Sequence, residues 1–182
     1  MLFAQAPGGV RAAAHRKSNK AFLLTVGGDR DGGVLPSRFT CDGKNVSPVL
    51  NWSAEPEGTQ SFALIVDDPD ARNFSHWPLW DIPASVHSLA EGAVEGAPGT
   101  NDFGNRRYDG PCPPAGRGPH DYSFRLYAVD VPSLGLKAGK GRNALDDASA
   151  STFSRRRNIA CGMGEIKDLP EVSVGRSKGL IH

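Results

Sequence analysis

Short apolar runs separated by turn sequences recur along this chain, and their lengths are those of β-strands. Ala21–Val26 (AFLLTV) is an apolar run closed by two glycines, and Ser61–Val66 (SFALIV) is continuously apolar. The second pattern is typical of a strand buried on both faces. Val49–Ser53 (VLNWS) and Tyr122–Val129 (YSFRLYAV) alternate apolar and polar residues, and Val34–Thr40 follows a turn signal. We predict a strand at each of these segments.

Proline and glycine interrupt this pattern in the middle of the chain. His76–Ile82 (HWPLWDI) is rich in aromatic residues, but Pro78 argues against a regular central strand because it has no amide hydrogen to donate. For residues 84–101 we expect one helical turn and otherwise loop. Asn101–His120 contains four glycines and four prolines and predicts a long irregular loop. Such loops in compact domains are usually functional or disordered.

The pattern fades towards the C-terminus. Asn143–Ser151 predicts a short helix, and residues 154–182 show no usable periodicity. The sequence shows no internal repeat and no second core. We therefore expect one core, formed by apolar residues of the predicted strands: Phe22, Leu24, Leu50, Trp52, Phe62, Leu64, Val66, Phe124, Leu126 and Tyr127.

Composition supports a mainly β fold. The 182 residues include 22 glycines and 14 prolines, about a fifth of the chain against about 12% in average usage. That excess excludes a helical bundle or a coiled coil. A hydrophobic content of 38% and a net charge of +1 exclude a charged disordered polymer. No run approaches the roughly 18 apolar residues of a membrane helix, so we expect one domain without a transmembrane segment.

The charge distribution and the cysteine count bear on the binding partners and the cellular compartment of the protein. Residues 1–20 carry four basic side chains and no acid, whereas residues 21–150 carry 11 basic and 17 acidic ones. The acidic middle offers no surface for nucleic acid, and the basic start predicts a flexible tail over residues 1–20. Three cysteines without a CxxC or zinc-type spacing suit a reducing compartment, and no apolar signal sequence is visible. We therefore expect a cytoplasmic protein.

Side chains that can exchange protons cluster at the ends of the two clearest strands. Asp68 and Asp70 follow SFALIV, and His76 lies a few residues on. His120 and Tyr122 stand at the start of YSFRLYAV. If the two strands are neighbours, these side chains meet at one sheet edge, where oriented histidines and glycine amides suit the capture of a small phosphate or carboxylate. The alternative is that the acids only cap turns and His76 packs in the core.

Other chemistries have less support. His76 and His120 stand on separate segments without an HxH or HExxH spacing, so we predict no metal site. Cys112, between two prolines, is the candidate nucleophile of an alternative function, a hydrolase or transferase that uses His120 with Cys112 or a bound water. The sequence has no GxxxxGK[ST] motif and no GxGxxG motif after a strand, so we expect no cofactor.

Four segments together resemble the phosphatidylethanolamine-binding proteins, and most closely the bacterial, Raf-kinase-inhibitor-like branch of that family. The segments are FTCDGKNVSPVLNW (Phe39–Trp52), SFALIVDDPDA (Ser61–Ala71), HWPLWDIPA (His76–Ala84) and GTNDFGNRRYDGPCPPAGRGPHDYSFRLYAVD (Gly99–Asp130). The resemblance implies a β-sandwich with a central antiparallel sheet, a second small sheet and few peripheral helices. It places the family domain at residues 21–145.

The resemblance also implies a pocket at one end of the sheet that binds phosphate-type head groups. Matching the family motifs assigns these residues to the pocket: Asp68, Asp70, His76, Gly110, Pro111, His120 and Tyr122. Members of the family are binding or regulatory modules, so no residue is expected to be catalytic. The implied partner is a small phosphate-type anion or a phospholipid head group, and the sequence names no protein partner.

Three substitutions and the C-terminus depart from the family pattern. Arg72 stands where the family usually has proline, Pro78 replaces a β-branched residue, and Asp121 replaces an arginine. The last change puts an anion beside the pocket and is expected to weaken anion binding. Residues 146–182 lack the terminal helix and Gly-x-Tyr strand of the family, so we expect a divergent tail there. A further alternative is a degenerate relative that folds poorly and has no ligand.

Overall fold

The structure is a computed structural model that describes residues 22–27, 33–114, 118–153 and 161–167. Within these residues it contains nine β-strands and one α-helix. The strands are β1 (Leu23–Val26), β2 (Gly33–Val34), β3 (Leu50–Ser53), β4 (Ser61–Asp68), β5 (Phe74–Pro83), β6 (Ser88–Leu89), β7 (Ala97–Pro98), β8 (Asp121–Val129) and β9 (Cys161–Lys167). The helix α1 is Arg142–Phe153. The predicted tail over residues 1–20 lies outside the described residues.

The strands form two sheets. The central sheet has the order β2-β9-β8-β4-β5-β7 and is antiparallel except for the β2–β9 pair. The small sheet has the order β1-β3-β6 and is antiparallel. Apolar residues of both sheets form one buried cluster, so the small sheet covers one face of the central sheet. This arrangement confirms the predicted mainly β sandwich.

Strand β4 is buried along its whole length because it lies inside the central sheet with neighbours on both faces. Phe62 and Leu64 belong to the cluster between the two sheets. Ala63 and Ile65 belong to a second buried cluster on the opposite face, to which Leu145 of α1 contributes. The continuous apolar run of β4 therefore serves two cores, where the sequence analysis expected one.

Nine of the ten predicted core residues lie in the cluster between the sheets. Tyr127 is the exception, because it is partly buried and packs on the second cluster. Side chains alternate along β8, so Phe124 and Leu126 face the small sheet while Tyr127 faces the opposite side. The alternation predicts the strand correctly, but the placement of Tyr127 in the first core is wrong.

Pro78 lies inside β5, a strand that is irregular, as predicted, because its pairing with β4 has two register shifts. β5 pairs with β4 through Ile65 and Pro78, and with the short β7 on its other side. The carbonyl oxygen of Pro78 accepts a hydrogen bond from the Gly99 amide at 2.9 Å. The nitrogen and oxygen of one strand residue point to the same side, so the proline nitrogen faces β7 and no hydrogen bond to β4 is lost.

Three other segments differ from their predictions. Val34–Thr40 is a strand only at its start and then forms a 3-10 turn at Ser37–Phe39. Residues 84–101 contain β6 and β7 instead of a helical turn. β9 lies after residue 154, where the sequence shows no periodicity, and pairs with β8 along its whole length. Two-residue strands are too short to show a hydrophobic period. The formation of β9 depends on pairing with its neighbouring strands more than on its own hydrophobic pattern.

Two other predictions are confirmed. α1 forms where a short helix was predicted, and it crosses residue 146, where the expected C-terminal tail begins. Residues 101–114 and 118–120 contain no helix or strand. None of the helices in the described ranges has the length and apolar character needed to cross a membrane.

Candidate functional site

The predicted site residues meet where three neighbouring strands of the central sheet begin or end. Because β4 is antiparallel to both β5 and β8, its last residues lie beside the first residues of those strands. Asp68 ends β4, His76 lies near the start of β5, and His120 immediately precedes β8. The sheet therefore brings together side chains 52 residues apart in the sequence.

A β-bulge in β5 directs His76 into this site. The register pairs Trp77 with Val66 but Ser75 with Asp67, so His76 is the extra residue of the bulge. As a result, His76 and Trp77 are consecutive in the chain and both face the core between the sheets. A regular strand would turn one of these two side chains to the opposite face.

His76 is buried, with 3% of its surface exposed. Its Nδ1 lies 2.7 Å from the backbone carbonyl oxygen of Asp109, which can only accept, so Nδ1 donates. The Tyr122 ring packs edge-on against the imidazole, with ring centroids 5.3 Å apart. Burial lowers the pKa of His76 below its ordinary value, although the Asp109 carbonyl and the charge of Asp68 act in the opposite direction. The neutral ring presents Nε2 as a hydrogen-bond acceptor.

The Asp68 carboxylate has two partners. One oxygen accepts a hydrogen bond from the Ala71 amide at 2.9 Å and caps the 3-10 turn Pro69–Ala71. The other oxygen lies 2.7 Å from Nδ1 of His120, which donates to it. Asp68 therefore caps a turn and also orients the imidazole of His120.

Asp70 and Tyr122 lie beside the two histidines and hold the surrounding segments in place. The Asp70 carboxylate accepts a hydrogen bond from the Asp121 amide at 2.8 Å. This contact ties the turn after β4 to the start of β8. Tyr122 is buried and supports the ring of His76.

Gly110 and Pro111 are the residues that the family resemblance assigns to the wall of the pocket, and we refer to them as the wall. The Gly110 amide donates to Oδ1 of Asn45 at 2.6 Å, and the Pro111 carbonyl accepts from the Cys41 amide at 2.9 Å. Glycine is required at position 110 because a Cβ atom would overlap the carbonyl oxygen of Phe39. The wall is therefore packed directly against the segment that contains Phe39 and Asn45.

Asp109 anchors the wall through residues that the sequence analysis did not single out. Its carboxylate accepts hydrogen bonds from Asn101 at 2.7 Å, Asn105 at 2.8 Å and Arg107 at 3.1 Å. Burial acts to raise the pKa of Asp109, but these three hydrogen bonds outweigh it and hold the pKa below its ordinary value. The network fixes the residue whose carbonyl oxygen orients His76. Its only sequence signal is the density of Asn and Asp in this loop.

Two aromatic residues beside the His76 ring were not among the predicted site residues. The rings of Phe74 and Phe103 are 4.9 Å apart, and they lie 5.5 and 5.4 Å from the His76 ring. Phe103 is 46% exposed. It stands in an irregular loop, where no hydrophobic period marks an aromatic side chain as part of a site.

The structure removes one candidate chemistry. Cys41 and Cys112 form a disulfide bond, so Cys112 is not available as the candidate nucleophile of the alternative function. The two residues are 71 positions apart, and spacing alone does not reveal such a pairing. Because a bonded sulfur offers no thiolate, the alternative that pairs Cys112 with His120 loses its nucleophile. Within the described ranges, no group of three or more His, Cys, Asp or Glu side chains could hold a metal ion.

A known protein family accounts for both the fold and the motifs of this chain. The family model described as phosphatidylethanolamine-binding protein matches residues 28–161. The chain belongs to the phosphatidylethanolamine-binding protein family. The match covers every described strand from β2 to β8, including those that carry the two histidines.

Similar proteins place the chain within the YbcL-type branch of this family. The UPF0098 protein of Aquifex aeolicus is 46% identical over 125 residues, which cover 64% of this chain and 73% of that protein. The UPF0098 protein YbcL of Escherichia coli is 42% identical over 136 residues, which cover 63% of this chain and 73% of YbcL. The crystal structure of E. coli YbcL matches with a TM-score of 0.70 and 28% identity, over 84% of this chain and 99% of that chain.

Two of the departures from the family pattern lie beside the site. Arg72 ends the turn that Asp68 caps and has a left-handed backbone with φ of 58°. The described residues contain no cis peptide bond, so Arg72 follows a trans bond. Asp121 starts β8, and its amide is the group held by Asp70. Both substitutions are therefore compatible with the local backbone.

Proposed function

We propose that the chain is a non-catalytic binding module that takes a small phosphate-type anion, free or as the head group of a phospholipid, at this end of the central sheet. The observation that carries this function is the pair of oriented histidines. His76 and His120 each use Nδ1 to hold a protein oxygen, at 2.7 Å in both cases. We propose that Nε2, the other nitrogen of each ring, contacts the ligand.

The family supports the ligand class, since its description names a phosphate-containing lipid head group. The local chemistry agrees, because an imidazolium donates from Nε2 to a phosphate oxygen in a charge-assisted hydrogen bond. Among the described residues, no arginine side chain forms a hydrogen bond or ion pair with either histidine. We therefore expect affinity in the micromolar to millimolar range, where a few hydrogen bonds act without a strong ion pair.

The non-catalytic character is also part of what we propose. The Cys112 sulfur is bonded to Cys41 and cannot attack a substrate. Asp68 and His120 resemble the orienting half of a catalytic triad, but they have no serine or cysteine nucleophile among the contacts described above. An enzyme at this site would have to use a water molecule activated by His120.

Histidine NMR tests the proposed function. Phosphate, and in a second arm O-phosphoethanolamine, is titrated into the labelled chain at constant ionic strength. We expect saturable shifts of the His76 and His120 ring resonances. His87 is exposed and pairs with Glu55 at 3.0 Å away from the site, so its ring serves as an internal control. His120→Gln should weaken binding about tenfold, the loss of one charge-assisted hydrogen bond.

Two results would contradict this function. Unchanged His76 and His120 resonances at millimolar concentrations of both ligands would exclude the anion site. Turnover of p-nitrophenyl phosphate or p-nitrophenyl acetate that disappears in His120→Gln would show an enzyme instead of a binding module.

The two ligands also distinguish the source of the anion. A shift of the histidine resonances with O-phosphoethanolamine but not with phosphate would assign the site to head groups.

A further inference from the structure

The disulfide between Cys41 and Cys112 lies at the protein surface, directly beside the buried wall of the site. Both cysteines are exposed, whereas Gly110 and Pro111 are buried. Exposed disulfides are the ones that thiols reduce and re-form most readily, because the attacking sulfur can reach them. The bond therefore couples an accessible redox group to a buried part of the binding site.

Among the described residues, the disulfide is the last attachment of the wall before the chain reaches His120. The preceding attachment is the hydrogen bond from the Cys41 amide to the Pro111 carbonyl at 2.9 Å. In the described parts of the following stretch, residues 112–114 and 118–119, no hydrogen bond is found. The next attachment that the described residues show is the contact of His120 with Asp68 at 2.7 Å.

This position gives the bond influence over both histidines. On one side of Cys112, the Asp109 carbonyl oxygen orients Nδ1 of His76. On the other side, His120 follows eight positions later in the sequence. A cross-link in between restricts the arrangements that this segment can adopt, and its loss lets the wall open without breaking any strand of the sheet.

We propose that Cys41–Cys112 is a redox-sensitive device that sets the affinity of the proposed anion site. The idea rests on the proposed function. In the oxidised chain the wall is held against the segment that contains Phe39 and Asn45. In the reduced chain the wall is released, the hold on His76 weakens, and the anion binds less tightly.

The chemistry is a thiol–disulfide exchange with a cellular dithiol as the reductant. A thiolate of the dithiol attacks one sulfur of the pair, the S–S bond breaks, and a mixed disulfide forms. The second thiol of the dithiol then resolves that mixed disulfide. Two electrons and two protons pass to the chain, which gains the Cys41 and Cys112 thiols, and the dithiol becomes a disulfide.

The experiment compares the oxidised full chain with the same chain reduced by dithiothreitol. Phosphate affinity is measured by NMR, and hydrogen exchange of the Cys41 and Gly110 amides is measured without any ligand. Reduction should weaken phosphate binding about tenfold if the competent wall arrangement falls to about a tenth of the population. Both amides should exchange faster, while the amides of β4 stay protected.

Two variants control the comparison. Cys41→Ser/Cys112→Ser should behave like the reduced chain without any reductant. Cys161→Ser keeps the bonded pair and should respond to dithiothreitol like the unsubstituted chain, which assigns the effect to Cys41 and Cys112. Re-oxidation should restore both the affinity and the amide protection.

Each outcome decides the question. Equal affinity and equal amide exchange in both redox states would overturn the proposal, and so would an equal loss of protection in β4 and at the two wall amides on reduction, since the bond would then act only on the stability of the whole fold. If the oxidised chain does not bind phosphate at all, the proposed function fails on its own. The exchange rates of the Cys41 and Gly110 amides then decide alone whether the disulfide controls the wall.

Discussion

His76 owes its position to a bulge in β5 and its neutral state to burial. The bulge turns the imidazole towards the core side of the sheet, and the Asp109 carbonyl oxygen fixes which nitrogen carries the hydrogen. Burial then lowers the pKa of the ring. An anion that reaches Nε2 favours the charged ring, so binding and protonation of His76 are linked.

We expect binding of dimethyl phosphate, which does not titrate near neutral pH, to strengthen as the pH falls. The pKa of unliganded His76 lies below its ordinary value of 6.5, and bound anion raises it, so a proton is taken up on binding. The gain in affinity is at most about tenfold per pH unit for one proton. Asp68, Asp109 and His120 also face this region.

Calorimetry in two buffers of different ionisation enthalpy measures that proton uptake at pH 7. The unsubstituted chain should show net uptake, and His76→Gln should show less while retaining His120. Equal uptake in both proteins would assign the linkage to a group other than His76.

Gly110 tests how closely the wall is packed. We expect Gly110→Ala to lower the free energy of unfolding by about 1–3 kcal/mol, because the added methyl group overlaps the Phe39 carbonyl oxygen. Gly135→Ala is the control: it has a positive φ of 65° but nothing within 4 Å of the added carbon. It should cost about 1–2 kcal/mol from backbone strain alone. Urea unfolding measures the free energy of unfolding of both variants. A shift of the His76 resonance in Gly110→Ala but not in Gly135→Ala would separate wall packing from backbone strain.

Helix α1 is attached to the central sheet by an apolar contact and by charge. Leu145 is fully buried in the second cluster. Arg142 at the start of α1 and Arg125 of β8 both form ion pairs with Asp67 of β4, which is 1% exposed. Burial raises the pKa of Asp67 above its ordinary value, although the charges of both arginines act in the opposite direction. The cluster therefore joins three elements around one carboxylate.

Removing that carboxylate should be costly. We expect Asp67→Asn to lower the free energy of unfolding by about 3 kcal/mol, because the partly buried Arg125 loses its counter-charge and Arg142 keeps only its pair with Asp146. Asp146→Asn is the matched control, since Asp146 pairs with Arg142 on the exposed helix surface. Its loss should cost about 0.3–0.5 kcal/mol. Similar values for both variants in urea unfolding would show that the cluster does not hold α1.

At the scale of the whole molecule, the disulfide links the wall of the site to the body of the domain across 71 positions. Disulfides persist in oxidising compartments, whereas the odd and low cysteine count led to the expectation of a cytoplasmic protein. That location stays a prediction. Whether Cys41 and Cys112 are bonded inside the cells that make the protein tests the predicted cytoplasmic location.

Thiol counting gives the corresponding test. Without reductant, the denatured chain should show one reactive thiol, that of Cys161. After reduction, the denatured chain should show three reactive thiols. Cys41→Ser/Cys112→Ser should lose about 4 kcal/mol of unfolding free energy for a loop of this length. Chain alkylated directly in growing cells should show three thiols if the protein is cytoplasmic, and one thiol would contradict that location.

The strands with a readable period were predictable from the sequence, and the short ones were not. β4 and β8 are long enough for continuous burial or alternation to appear in the residues themselves. β6 and β7 have two residues each, and β9 depends on hydrogen bonds to β8 and β2. Pairing between distant segments supplies the energy there, so local sequence carries little of the information.

The sequence by itself determined the family, the mainly β class, most of the core and the residue types at the sheet end, because these depend on local hydrophobicity and on motifs. Only the tertiary structure decided which groups touch. The contact of His120 with Asp68 and the bond of Cys41 with Cys112 join positions 52 and 71 residues apart, and the bulge at His76 exists only in the pairing of β5 with β4. Such long-range contacts form only when the other interactions of the folded sheet offset the entropic cost of closing long loops. No short stretch of residues therefore encodes them.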